Sequence, residues 1–122
     1  MDSREVLELA NRYASVVNLK FNIQKAFLFG SWAKGNPHKH SDIDVAIVLK
    51  DYSDYFETQL LLMRLIRDID TRIEPHLFKL SEFNRIDPLA YEVIKNGIEL
   101  NIHQQTKNAD MVAENPAPYA TK

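Results

Sequence analysis

Ala26-Phe27-Leu28-Phe29-Gly30-Ser31-Trp32-Ala33-Lys34-Gly35 and, after a polar loop, Ser41-Asp42-Ile43-Asp44-Val45-Ala46-Ile47-Val48 form the stretch that decides the fold. Lys25 to Phe29 is a short apolar run ending at Gly-Ser, which reads as a buried strand. Gly30 carries no Cβ, so the chain can turn sharply there and a ligand can approach the backbone. Ser31 is a good N-cap for a helix of about one turn over Trp32, Ala33 and Lys34, stopped by Gly35. Free N–H groups at such a helix start, with the Ser31 hydroxyl, suit the phosphate tail of a nucleotide. Asn36 to Ser41, with Pro37, His38 and His40, reads as a loop.

From Asp42 to Leu49 the sequence alternates. Ile43, Val45, Ile47 and Leu49 point one way, and Asp42, Asp44, Ala46 and Val48 the other. Asp42 and Asp44 therefore share a face, their Cα atoms roughly 7 Å apart. Both can reach one Mg²⁺, or a pair of ions about 3.5–4 Å apart, the geometry for in-line attack at phosphorus. Like charges at the start of a buried strand raise one pKa unless a cation lies between them. Solvated turn-end aspartates are the alternative; the Gly-Ser turn at this distance favours metal.

Gly30-Ser31-x10-Asp42-x-Asp44 resembles the signature of the polymerase-β-like nucleotidyltransferase superfamily. The compact chain is similar to its minimal members (MNT), the partners of HEPN proteins in prokaryotic toxin–antitoxin pairs. The similarity covers about residues 1–103, with specificity confined to the strands that carry the signature. The resemblance implies that Gly30 and Ser31 contact the β- and γ-phosphates of a nucleoside triphosphate. It implies that Asp42 and Asp44 bind Mg²⁺, and that a third carboxylate on a neighbouring strand completes the set. Glu74 is the best match for that acid, as metal ligand or as base toward the attacking hydroxyl. The superfamily more often has Asp there.

Arg72-Ile73-Glu74-Pro75-His76-Leu77-Phe78 reads as the strand in question, with Glu74 and His76 on one face. Pro75 cannot donate a ladder hydrogen bond and favours an edge or a bulge. His76 is an alternative base or nucleotide contact. Lys34 is a candidate phosphate contact, and Trp32 either stacks on a base or packs against the core. His38 and His40 lack a third ligand for a structural zinc site.

The chain has 122 residues, enough for one domain, with 45% hydrophobic and 26% charged residues. A net charge of −2 argues against a protein built to grip DNA or RNA. The sequence contains no cysteine, which excludes disulfides and thiolate chemistry and fits a cytoplasmic setting. The N-terminus lacks the apolar stretch of a signal peptide, and no apolar run approaches membrane-spanning length.

Ser3 is the expected cap of a helix to about Val17, and Asp54 of a second to about Ile69. Lys79 to Asp87 reads as a connector, Asp87-Pro88 and Asn96-Gly97 bracket a helix, and Ile98 to Ile102 alternates as a last strand. From Gln104 to residue 122 large apolar residues nearly vanish, and a disordered tail is expected. The expected fold is α/β: a small mixed sheet with helices mainly on one face, in the manner of polymerase-β-like nucleotidyltransferases.

The resemblance implies transfer of NMP, with AMP from ATP favoured, to a hydroxyl, with a tyrosine of an all-helical HEPN partner as acceptor. A second domain to hold an acceptor is not expected, so that surface is expected from a partner or from another copy of the chain. An antitoxin acting by binding alone, its nucleotide site vestigial, is the alternative.

Overall fold

The computed structural model describes residues 2–37 and 41–102. His38, Lys39, His40 and the tail from Gln104 lie outside the described residues. The architecture is a four-stranded sheet of order β3-β2-β1-β4, made by β1 (Ile23–Phe29), β2 (Ile43–Leu49), β3 (Ile73–Lys79) and β4 (Ile98–Glu99). β1 runs antiparallel to β2 and β4, whereas β2 and β3 are parallel. The parallel pair needs a crossover, which α3 (Tyr55–Arg64) and a following 3₁₀ turn (Leu65–Asp68) supply.

Alternation along β2 feeds two cores. Ile43, Val45, Ile47 and Leu49 enter the larger one, with Ile73 and Leu77 of β3. Helix α1 (Ser3–Lys20) covers that face through Val6, Ala10, Tyr13, Ala14 and Val17, a stripe at helical spacing. Leu62 of α3 is buried in the same core, and Leu65, Ile66 and Ile69 pack against it. Ala46 and Val48 point the other way, into a smaller cluster with Phe27, Phe29, Phe78 and Ala90 and Val93 of α4 (Pro88–Asn96). Phe83 closes that cluster, 5.5 Å from Phe27 and 5.2 Å from Phe78 between ring centroids. Helices thus lie mainly on one face, as expected, with α4 alone on part of the other. No helix of the described residues is long and apolar enough to cross a membrane.

Several local expectations are corrected. Asp2, not Ser3, caps α1, in a reciprocal box with Glu5, and the helix runs on to Lys20. Gly30, not Ser31, is the N-cap of α2 (Ser31–Lys34). Asp54 caps α3 as expected, but the α-helix ends at Arg64 and tightens to 3₁₀ before Ile69. The last strand is regular only over Ile98–Glu99; the Leu100 N–H still donates to the Ala26 carbonyl at 2.8 Å, and Leu100 and Ile102 are buried in the larger core. Asp87, Pro88 and Gly97 cap α4 as expected.

Two contacts tie the crossover to the rest. The Tyr13 hydroxyl donates to the Leu62 carbonyl oxygen at 2.6 Å, in a buried setting that pushes the phenol well above its usual range. Arg72 grips Asp70 through Nη2 at 2.6 Å and Nε at 3.0 Å at the entry to β3, holding the Asp70 carboxyl below its usual range. Tyr13→Phe removes this buried hydrogen bond to the Leu62 carbonyl and is expected to cost about 1–3 kcal/mol in urea unfolding. Arg72→Gln is expected to cost less than about 1 kcal/mol at neutral pH, as for exposed pairs. A depressed carboxylate stabilises the fold above its unfolded pKa and loses that contribution as pH falls through its folded pKa. The stability gap between wild type and Arg72→Gln should therefore close in acid, as measured by melts at stepped pH.

Candidate active site

The site is built where β1 ends, β2 begins and β3 runs alongside. Phe29 at the end of β1 pairs with Asp44, and Asp44 pairs in turn with Glu74 across the parallel ladder. Immediately after Phe29 the chain turns at Gly30, with φ 80° and ψ −154°, a conformation open in practice only to glycine. A Cβ at Gly30 would collide with Asp44 Oδ2 and would lie 3.3 Å from Asp44 Cγ. The missing side chain is what lets the carboxylate lie against the turn. Gly35 ends α2 in the left-handed region, φ 82° and ψ 15°, and among the described residues no atom beyond its chain neighbours lies within 4 Å of where a Cβ would be.

Asp44, Glu74 and His76 bring ligand atoms within 4.8 Å of one another. His76 Nε2 is 3.1 Å from Asp44 Oδ1 and 3.9 Å from Glu74 Oε1. The Asp44 and His76 side chains are 22% and 25% exposed, and Glu74 is 56% exposed, so Asp44 is the inner group and Glu74 the outer. Burial raises the Glu74 carboxyl above its usual range; His76 opposes this, while Asp44 and Asp42 add to it. Two oxygen donors and one imidazole nitrogen facing one small space make a donor set that fits a divalent cation.

Asp42 lies one residue before β2 and is exposed. It lines a groove of about 680 Å³ together with Glu74 and His76, but is outside the converging cluster. The groove continues along the outer side of β3 past Tyr55, Gln59 and Met63 of α3. β3 is an edge strand, as Pro75 suggested, and Gln59 Nε2 donates to the Pro75 carbonyl at 3.0 Å.

Ser31 begins α2 directly after Gly30; Ala33 and Lys34 N–H donate to the Gly30 carbonyl at 3.1 Å. The N–H groups of Ser31 and Trp32, at the helix start, have no intrahelical partner. Lys34 Nζ is 3.0 Å from Glu92 Oε2 on α4, and this pairing holds the Glu92 carboxyl below its usual range. Lys34 thus joins the turn to α4. Trp32 packs against the larger core, its Nε1 3.5 Å from the Ser41 carbonyl oxygen.

Residues 11–106 match the family described as polymerase beta, nucleotidyltransferase. This chain belongs to that family. A stretch of 52 residues is 33% identical to protein adenylyltransferase MntA of Shewanella oneidensis, covering 43% of this chain and 37% of that protein. The match therefore spans little more than a third of that relative's length. A provisionally named protein adenylyltransferase of Methanocaldococcus jannaschii is 29% identical over 80 residues, which are 62% of this chain and 81% of that protein.

Among solved structures, a provisionally named nucleotidyltransferase of Sulfolobus solfataricus superposes with a TM-score of 0.59 at 21% identity, covering 80% of each chain. A toxin–antitoxin structure with AMP-PNP superposes with a TM-score of 0.53 at 23% identity, covering 89% of this chain and 80% of that one. At these identities the superpositions establish a shared fold.

Gly30→Ala should displace the Asp44 carboxylate as well as strain the turn, weakening Mn²⁺ or Mg²⁺ binding measured by calorimetry. Gly35→Ala, strained but free of collision, should cost only about 1–2 kcal/mol in stability and leave metal affinity unchanged.

Proposed function

We propose that this chain transfers AMP from ATP to a tyrosine hydroxyl of an all-helical, HEPN-type toxin and so acts as its antitoxin. What carries the reading is the Asp44–Glu74 register beside the Gly30-Ser31 turn, in a chain of the nucleotidyltransferase family. The adenylyltransferase names of two relatives and the toxin–antitoxin assembly of one structural neighbour point the same way.

In this proposal Gly30 and Ser31 seat the triphosphate through backbone N–H groups and the Ser31 hydroxyl. Asp42 and Asp44 hold divalent metal, Mg²⁺ in the first instance, with Glu74 at its edge. Bound metal would neutralise charge developing on the α-phosphate and on the leaving pyrophosphate. The acceptor oxygen forms a bond to the α-phosphorus as the bond to pyrophosphate breaks. Glu74, the outer carboxylate with a raised pKa, meets the incoming hydroxyl and takes its proton. The groove along β3, about 680 Å³ in volume, is lined by Glu74 and offers the acceptor side chain a place to approach it.

Incubation with α-labelled ATP, Mg²⁺ and the helical partner should place AMP on a partner tyrosine, located by mass spectrometry. Asp44→Asn should cut the transfer rate by about 100-fold or more while complex formation persists. Full neutralisation of the toxin by an Asp42→Asn, Asp44→Asn double variant, with no label transferred, would replace this reading by an antitoxin that works through binding alone.

A further inference from the structure

We propose that His76 is itself a metal ligand, and that the site takes a first-row transition ion with a nitrogen ligand in preference to Mg²⁺. The inference rests on the reading of Asp44 as a metal carboxylate and goes beyond it in assigning the imidazole a bond to the ion.

Three features of the site converge on this role. His76 stands opposite Ala46 in the β2–β3 register, and the single methyl of Ala46 leaves room for the ring to lean back toward Asp44. The ring also meets Phe29 edge-on, with centroids 4.9 Å apart and planes at 68°, which holds it in place. The resulting Nε2–Oδ1 separation of 3.1 Å is that of neighbouring ligands on one ion. Two atoms on adjacent octahedral vertices, each bound at about 2.1–2.2 Å, lie about 3.0–3.1 Å apart. Glu74 Oε1, at 3.9 Å from Nε2, falls between adjacent and opposite vertices and can join with a small side-chain rotation, leaving its second oxygen free for a proton.

Donor chemistry then sets selectivity. Mg²⁺ prefers oxygen ligands and gives up water reluctantly, so an imidazole adds little to its affinity. First-row transition ions accept imidazole nitrogen readily, and their affinities rise along the series from Mn²⁺. An imidazole added to the carboxylates therefore favours them over Mg²⁺ in a way that a purely carboxylate site does not.

Mn²⁺ is the probe, added alone to the full chain. Pulsed electron paramagnetic resonance should show ¹⁴N coupling from a bound imidazole in the wild type, and His76→Gln should abolish it. Competition titrations should show the Mn²⁺-over-Mg²⁺ preference falling about tenfold or more in His76→Gln, with Mg²⁺ affinity changed much less. Absence of nitrogen coupling with Mn²⁺ bound, its survival in His76→Gln, or equal loss of both ions would overturn the proposal. Asp44→Asn separates the two levels. If it abolishes Mn²⁺ binding while the wild type lacks nitrogen coupling, the metal site stands and His76 only hydrogen-bonds to Asp44. If Mn²⁺ binds equally well to Asp44→Asn, the underlying site reading fails as well.

Discussion

The contact on which the site depends is the approach of Asp44 to the backbone of Gly30. A carboxylate can lie against that turn because no Cβ is present to exclude it and because glycine tolerates the backbone angles that the turn requires. The turn is fixed from one side by β1, whose last residue, Phe29, pairs with Asp44. It is fixed from the other by α2, whose Lys34 reaches Glu92 of α4. The position of a single side chain is thus determined by elements from both ends of the chain.

Around this contact the sheet acts as a frame with unequal faces. The larger core, under α1 and α3, is made of aliphatic side chains with Tyr13, and it locks the β2–β3 crossover. The smaller core, under α4, is rich in aromatic residues and reaches the site through Phe29, whose ring meets His76 edge-on. Asp44 and His76 at that end of the sheet are partly exposed and Glu74 is exposed. Their partial exposure limits the desolvation cost, and what remains is seen in the raised Glu74 carboxyl.

The edge position of β3 has a functional consequence. An interior strand could not offer its outer flank to a second molecule, whereas β3 carries Glu74 at the mouth of a groove bordered by Tyr55 and Met63. Strand-on-strand pairing along that edge is discouraged by Pro75, which has no N–H, and by Gln59, which already occupies the Pro75 carbonyl. The edge is open to an approaching side chain more than to an added strand.

Periodicity and capping residues made most of the framework legible in advance. Alternation from Ile43 to Leu49 and from Ile73 to Phe78 specifies which side chains share a face, because successive residues of a strand point opposite ways. Asp54, Asp87, Gly35 and Gly97 mark helix ends through local backbone chemistry, which needs no distant partner. Asp2 rather than Ser3, and Gly30 rather than Ser31, took the caps because neighbouring residues compete for one position by a margin that local pattern does not resolve. Register was decided only by the tertiary structure. β2 and β3 are joined by a helical crossover, so no turn geometry aligns Asp44 with Glu74; packing of the two faces does. The same alignment set His76 opposite the small Ala46 and within reach of Asp44, a neighbour 32 residues away that spacing along one strand could not reveal. It left Asp42, which precedes the ladder, outside the cluster, and the fold drew Lys34 to Glu92 on a helix far along the chain. The residue types were written in the sequence, and their meeting depended on side chains packed from opposite ends of it.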